Sequence, residues 1–303
     1  MRDETERCRI GDRIHLSVRP IRLFLFRPPG SEKMCDRTVA LQIQRSNFGE
    51  CRREPKGDLS MHIRDSVAFV TGANRGIGLV FAQELLAAGA RKVYAAARNP
   101  ESIPLSGVER VRLDVTNPQS VASAAMASGD VNLLINNAGS AHWTGFLSPE
   151  SVEAARSEME TNYFGPLFLS RAFAPVLAKN SGGAIVNVLS ILSWVAVPSA
   201  GTYSASKAAA WALTNWLRTA LRDQGTQVLG VHAGPVDTDM ASGLTLPKVT
   251  PVDVVRQVLY SLEAGCDEVL VDDMTRQVKA GLSNEPGIYL NYDPERAVPA
   301  ASA

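Results

Sequence analysis

A doubly wound α/β fold, with about seven parallel strands covered by helices on both faces of one domain, is what this sequence predicts. Three observations carry that expectation. From Ser66 onward, apolar runs short enough for buried strands alternate with segments at helical spacing. The first run ends in a turn rich in glycine that opens a helix. Continuous apolar strands joined by helical crossovers require a parallel sheet buried on both faces. With 303 residues, 45% hydrophobic and 20% charged, the chain can bury such a core as one large α/β domain or two small ones.

The first strand runs from Ser66 to Val70 and is closed by Thr71. Glycines at 72, 76 and 78 follow, and Leu79 to Ala88 carry apolar residues at helical spacing. Strand, glycine turn and helix in that order make a phosphate site. Glycine lets the backbone approach a pyrophosphate, and the unpaired N–H groups of the new helix face the anion. The spacing Gly72-x-x-x-Gly76-x-Gly78 differs from the common G-x-G-x-x-G fingerprint, and no Gly-Lys-Ser/Thr follows, which argues against a nucleoside-triphosphate loop. Thr71, Gly72, Asn74, Arg75, Gly76, Ile77 and Gly78 are the expected contacts of this turn. Further strands are expected at Lys92–Ala97, Glu109–Val115, Val131–Asn136, Ala184–Ser190, Gln227–Ala233 and Glu268–Val271. Helical patterns occupy Pro118–Ala127, Ser151–Lys179, Ala205–Asp223 and Pro251–Glu263.

Ligands of such sheets bind at the carboxyl ends of the strands. The second strand ends at Ala96-Ala97-Arg98-Asn99, where a dinucleotide fold discriminates at the adenosine ribose. An acid there would bond the ribose hydroxyls and repel a 2′-phosphate; none is present. Arg98 can pair with that phosphate and Arg75 can add a second charge, which favours NADP(H) over NAD(H). Both arginines could also be solvated surface groups. Asp114, next to Val115 at the end of the third strand, can accept from an adenine amino group. Asn137, Ala138 and Gly139 after the fourth strand let the chain pass close to a cofactor. Asn136-Asn137 could equally bond their own loop.

The chemical signal is Tyr203-Ser-Ala-Ser-Lys207. In a helix that begins at or just before Tyr203, this spacing puts phenol and ammonium on one face. A fixed cation is expected to stabilise the phenolate and bring a poor acid–base toward neutral pH. Ser190, thirteen positions upstream at the end of the fifth strand, can polarise a carbonyl. Taken singly, Tyr203 and Lys207 would make an ordinary surface pair.

These motifs, in this order and spacing, resemble the short-chain dehydrogenase/reductases, specifically the single-domain branch with a Rossmann-like fold, over about residues 61–282. The resemblance implies that Tyr203 is the acid–base, that Lys207 binds the nicotinamide ribose and tunes Tyr203, and that Ser190 positions the substrate oxygen. It also implies that Asn162 holds a water in a proton relay, and that Thr238 bonds the nicotinamide amide, with backbone contacts from Gly234 and Val236. The expected reaction is hydride transfer between NADP(H) and a carbonyl or the corresponding alcohol. No metal is expected. Two departures stand out. Leu189-Ser190 replaces the family's Ser-Ser and leaves Ser193 as a competing hydroxyl; Ala233-Gly234 replaces Pro-Gly and is expected to loosen the turn beneath the nicotinamide. In the family the two long helices pack against their copies, which implies a homodimer or homotetramer. A dinucleotide-binding redox sensor or scaffold without turnover is the alternative.

Trp143, Phe146, Leu192, Trp194, Val197 and Met240 are candidate pocket residues for a hydrophobic carbonyl compound, although each would also serve as core. Residues 241–250 form a short connection suited to a small lid. His142 and His232 read as satisfied or solvent-facing side chains rather than acid–bases. Residues 1–60, rich in arginine and without period, are expected to be a disordered tail, a targeting segment or a misassigned extension upstream of a start at Met61. The tail from Asn284 is expected to be irregular. Lys plus Arg equals Asp plus Glu at 31 each, which suggests neither nucleic acid nor acidic membrane as a partner. The four cysteines show no metal-ligand spacing, and a reducing compartment, the cytoplasm, is the simplest reading. No apolar stretch reaches the roughly 18 residues of a membrane helix.

Overall fold

The computed structural model describes residues 61–294; the expectations for residues 1–60 and for the end of the tail lie outside the described residues. Seven strands, β1 (Val67–Thr71), β2 (Lys92–Ala97), β3 (Glu109–Arg112), β4 (Leu133–Asn136), β5 (Gly183–Val188), β6 (Thr226–His232) and β7 (Glu268–Leu270), form one sheet. Its order is β3-β2-β1-β4-β5-β6-β7, with parallel pairing throughout. The chain winds outward from β1 to β3, then returns to place β4 on β1's other side. That reversal opens a crevice at the carboxyl ends of β1 and β4.

Alternation along the buried strands feeds two cores. Ala68, Val70, Leu133 and Ile135 face one layer with Phe81 and Leu85 of α1 (Gly76–Ala87) and Val254 and Val258 of α6 (Pro251–Glu263). Val67, Phe69, Leu134 and Ile185 face the other. There they meet α2 (Pro118–Ala127), α4 (Gly165–Lys179) and α5 (Gly201–Ala220), with the Phe69 and Phe173 rings 4.8 Å apart. Both faces are therefore covered, as a parallel sheet requires.

Three local departures from the sequence expectations have physical causes. The helix expected over Ser151–Lys179 is not continuous: α3 (Ser151–Met159) passes through a π-helical turn at Glu160–Phe164 before α4. Asn162 at its centre is fully committed to tertiary bonds, donating to the Ser140 carbonyl and Ser206 Oγ and accepting from the Ser140 N–H, each at 2.9 Å. Edge strand β3 ends three residues early, at Arg112, where Asp114 turns to bond Thr116. A helix absent from the sequence expectations, α7 (Asp273–Gly281), follows β7, capped by Asp272 Oδ1 on the Thr275 N–H at 2.8 Å.

Beyond Asn284 the described chain carries only a short turn of helix at Ile288–Leu290. No helix among the described residues is long and apolar enough to cross a membrane.

Candidate active site

A cleft of about 1130 Å³ lies across the carboxyl ends of the central strands. Its floor begins at the turn from β1 to α1. Gly72 has φ +66°, and a Cβ there would lie 3.1 Å from the Ala138 Cα, so only glycine lets this turn pass β4's end. At Gly78 a Cβ would strike the Gly72 carbonyl and the Asn137 amide. Arg75 precedes α1 without capping it by a side-chain bond, which leaves the first N–H groups of the helix to the cleft.

Thr71 is completely buried beneath this turn. Its Oγ1 donates to the Ile135 carbonyl at 3.1 Å and accepts from the Asn137 and Ala138 N–H groups at 3.0 Å. Asn137 Nδ2 donates back to the Thr71 carbonyl at 2.9 Å. The Asn137 side chain thus braces the glycine turn rather than its own loop. Asn136 points the other way, to Asn187 Oδ1 at 2.7 Å, and Asn187 donates to Thr214 of α5 at 2.9 Å.

Most of the expected cofactor contacts line the cleft: Gly72, Asn74, Arg75, Gly76, Ile77, Arg98, Asp114, Val115, Asn137, Ala138, Gly139, Gly234, Val236 and Thr238. Thr71, Gly78 and Asn162 stand one layer behind its wall. Arg98 is exposed at the rim, with no carboxylate bridged to it among the described residues. Arg75 instead reaches across the mouth to Asp239 at 2.9 Å; both side chains are mostly exposed, so the pair is weak and open to competition by an anion.

The reactive side chains meet at the other end of the cleft. Because α5 begins at Gly201, Tyr203 and Lys207 lie within its first two turns and face β5. Lys207 Nζ donates to the Val188 carbonyl at 2.9 Å and lies 5.7 Å from the centre of the Tyr203 ring. Ser190 Oγ stands near enough to the Tyr203 phenol to lower its pKa and accepts the Leu192 N–H at 3.1 Å. Ser193 turns away and accepts the Ser190 N–H at 3.3 Å. The Trp143 ring packs on Tyr203 at 5.6 Å between centroids and donates to the Met240 carbonyl at 3.1 Å, joining the loops after β4 and β6.

Electrostatics here differ from the simple cation-and-phenol expectation. Burial pushes the Tyr203 phenol well above its usual range; the Ser190 hydroxyl opposes that and the Glu158 charge adds to it. Burial also pulls the Lys207 ammonium down to about 8. Desolvation therefore outweighs the attraction expected between the two groups, because both sit in the protein interior and the ammonium is aimed at Val188.

Among the candidate pocket residues, Trp143, Leu192, Val197 and Met240 line the cleft, joined by Leu244, Leu246, Met274 and Tyr292. Phe146 covers Gly201 instead, and Trp194 packs against His232 and Trp211. Exposed His142 lines the cleft and shares a hydrogen bond with Ser157 Oγ at 3.1 Å. His232 is buried and kept neutral by desolvation, its pKa pulled down to about 3. The connection after Thr238 closes on itself through the Val236–Val249 bridge. The turn at Ala233-Gly234 is braced rather than loose: Ala233 O accepts the Ile191 N–H at 2.9 Å and Asp272 Oδ2 accepts the Gly234 N–H at 2.7 Å.

Residues 66–248 match the family model for short chain dehydrogenases. A dehydrogenase/reductase SDR family member 7B from Bos taurus is 28% identical over 270 residues, 78% of this chain and 82% of that protein. A crystal structure of a short chain dehydrogenase from Burkholderia cenocepacia J2315 in complex with NADP is 45% identical, with TM-score 0.72 over 75% of this chain and 96% of its own. A 7α-hydroxysteroid dehydrogenase complexed with NADH and 7-oxo glycochenodeoxycholic acid is 25% identical, with TM-score 0.63 over 70% of this chain and 94% of its own. The chain belongs to the short-chain dehydrogenase/reductase family and is an oxidoreductase of that family.

Proposed function

We propose that this protein is an NADP(H)-dependent oxidoreductase that reduces a hydrophobic aldehyde or ketone, or oxidises the corresponding alcohol, with Tyr203 as general acid–base. The observation that carries this reading is the meeting of Ser190, Tyr203 and Lys207 at one end of a cleft whose other end is a glycine turn and an uncapped helix N-terminus. The Gly72 turn and free helix N–H groups suit a pyrophosphate, and exposed Arg98 suits a 2′-phosphate. The 45% identical neighbour was solved with NADP. Within the family NADH is also used, as in the 7α-hydroxysteroid enzyme, so Arg98 is the residue on which the preference rests.

When bound, the nicotinamide supplies or accepts hydride at the substrate carbon. Ser190 Oγ holds the substrate oxygen and Tyr203 delivers the proton to it, or takes that proton in the oxidative direction. Lys207 serves the ribose and stabilises negative charge on Tyr203 as it forms. Asn162, fixed between Ser140 and Ser206, sits behind Lys207 in the proposed proton relay. Gly234, Val236 and Thr238 hold the nicotinamide amide, and Asp114 and Val115 the adenine. The wall of Trp143, Leu192, Val197, Met240, Leu244 and Met274 selects for an apolar substrate body. We further infer a homodimer or homotetramer built on α4 and α5, where the exposed Trp216 is available for a partner copy.

The test is NADPH absorbance at neutral pH with a panel of aldehydes, ketones and quinones. Consumption with hydrophobic carbonyls is the expected result. Tight NADPH binding without consumption of any of them would favour a redox sensor.

A further inference from the structure

His232, the last residue of β6, sits behind the site. Its ring is fully buried and stacks on Trp194, with centroids 3.9 Å apart and planes 21° from parallel. Its Nδ1 lies 3.1 Å from the Ser190 carbonyl oxygen. A carbonyl oxygen only accepts, so this contact requires the proton on Nδ1. Nε2 then bears a lone pair and has no hydrogen-bond partner among the described residues. It faces Glu268 Oε1 at 3.8 Å, and that oxygen is held by Lys279 Nζ at 2.9 Å. Lys279 in turn lies 4.8 Å over the Trp194 ring. Leaving one ring nitrogen buried and unpaired is costly, and the single directed contact the ring makes is with Ser190.

Ser190 is also held by the backbone and side chains around it. Its N–H is taken by Ser193 Oγ at 3.3 Å, and the next N–H, of Ile191, by the Ala233 carbonyl at 2.9 Å. Its carbonyl accepts the Ser193 N–H at 3.0 Å, and the His232 Nδ1–H is a second donor to the same oxygen. We propose that His232 is a positioning residue: its Nδ1–H holds the Ser190 carbonyl and so sets the direction from which the Ser190 hydroxyl meets the Tyr203 phenol and the substrate oxygen. The inference rests on the reading of Ser190 and Tyr203 given above. Burial, with the Lys279, Arg218 and Lys207 charges around the ring, keeps the imidazole neutral, so that the donor persists at every working pH.

Two amide variants separate this role from mere packing. His232→Asn places an N–H where Nδ1 stands; His232→Gln places one nearer the position of Nε2. With NADPH and a carbonyl substrate, His232→Gln is expected to lose roughly 10- to 100-fold in kcat, the scale of a misplaced reacting group, with NADPH affinity unchanged. His232→Asn is expected to recover most of that loss. Because the Ser190 hydroxyl lowers the Tyr203 pKa, the limb of the kcat–pH profile that reports Tyr203 should move to higher pH in the Gln variant. Wild-type kcat and pH profile in His232→Gln would overturn the proposal. So would equal losses of kcat, NADPH affinity and thermal stability in both variants.

Imidazole ¹⁵N spectra of the wild type, assigned by the resonance lost in His232→Asn, give a readout that does not depend on turnover. A neutral Nδ1–H tautomer throughout pH 5–9, a window bounded well above the pKa of about 3, is expected. An Nε2–H tautomer within that window, with no proton on Nδ1, overturns the contact itself. Absence of wild-type turnover with any carbonyl would strike the proposed reaction and the catalytic half of this proposal with it, so the two failures read apart.

Discussion

Lys207→Met is expected to abolish turnover while making the cofactor-free protein more stable at neutral pH. Burial lowers the Lys207 pKa from 10.5 to about 8, a difference worth about 3 kcal/mol against the charged form. Methionine keeps most of the side-chain volume and removes that cost, but it leaves the Val188 carbonyl, which accepts from Nζ at 2.9 Å, without its donor. An orphaned buried acceptor costs about 1–3 kcal/mol, so the net gain at pH 7 is about 1 kcal/mol. The pH dependence is the sharper quantity. Between the folded pKa of about 8 and the unfolded 10.5, the unfolded lysine binds more protons than the folded one, so wild-type stability rises with pH across that window on account of this group. The methionine variant lacks that rise. Urea unfolding of both proteins at pH 7 and pH 10 should therefore show the variant's advantage shrinking by about 2–3 kcal/mol, and reversing, at the higher pH. Titrations that run parallel across the two pH values would refute the reasoning, since they would mean that Lys207 ionises in the fold as it does in water.

Two other substitutions probe separate parts of the structure. Arg98→Ala should weaken NADPH about tenfold or more and leave NADH nearly unchanged, because a charge-assisted bond to phosphate contributes about 1.5–3 kcal/mol and tenfold in affinity is about 1.4 kcal/mol; paired fluorescence titrations measure both. Asp272→Ala removes the cap of α7 and the acceptor of the Gly234 N–H together, so denaturant unfolding should show a loss of about 2–3 kcal/mol, with a raised KM for the cofactor.

What could be read from the chain follows the range of the interactions. Tyr203 and Lys207 were legible because i,i+4 spacing on a helix is local, and α2 and α6 have the bounds their caps and prolines imply: Asn117 accepts the Gln119 N–H at 2.9 Å and Thr250 the Asp253 N–H at 3.1 Å. The parallel, doubly covered sheet followed from alternating apolar runs and helices, but its strand order did not. The π-helical turn around Asn162 was not legible, because its bonds go to Ser140 and Ser206, 22 and 44 residues away. Nor were Met274 and Tyr292 as cleft residues, since they arrive from the end of the chain. α7 had a signal that was passed over: Asp272 three residues before Thr275 is a capping pattern, but the nine-residue helix behind it is too short and polar to show a period. The sense of the Tyr203 shift was misjudged because burial, which raises it, is a tertiary property; the Lys207 charge is a sequence neighbour.

Single-turnover NADPH oxidation by Tyr203→Phe, beside an NADPH binding isotherm for the same variant, goes to the heart of the proposed chemistry. Removing only the hydroxyl should leave the isotherm where it is and reduce the rate by at least about 100-fold, the range of a lost acid–base group. A phenylalanine variant that still oxidises NADPH near the wild-type rate would place the proton transfer on some other group.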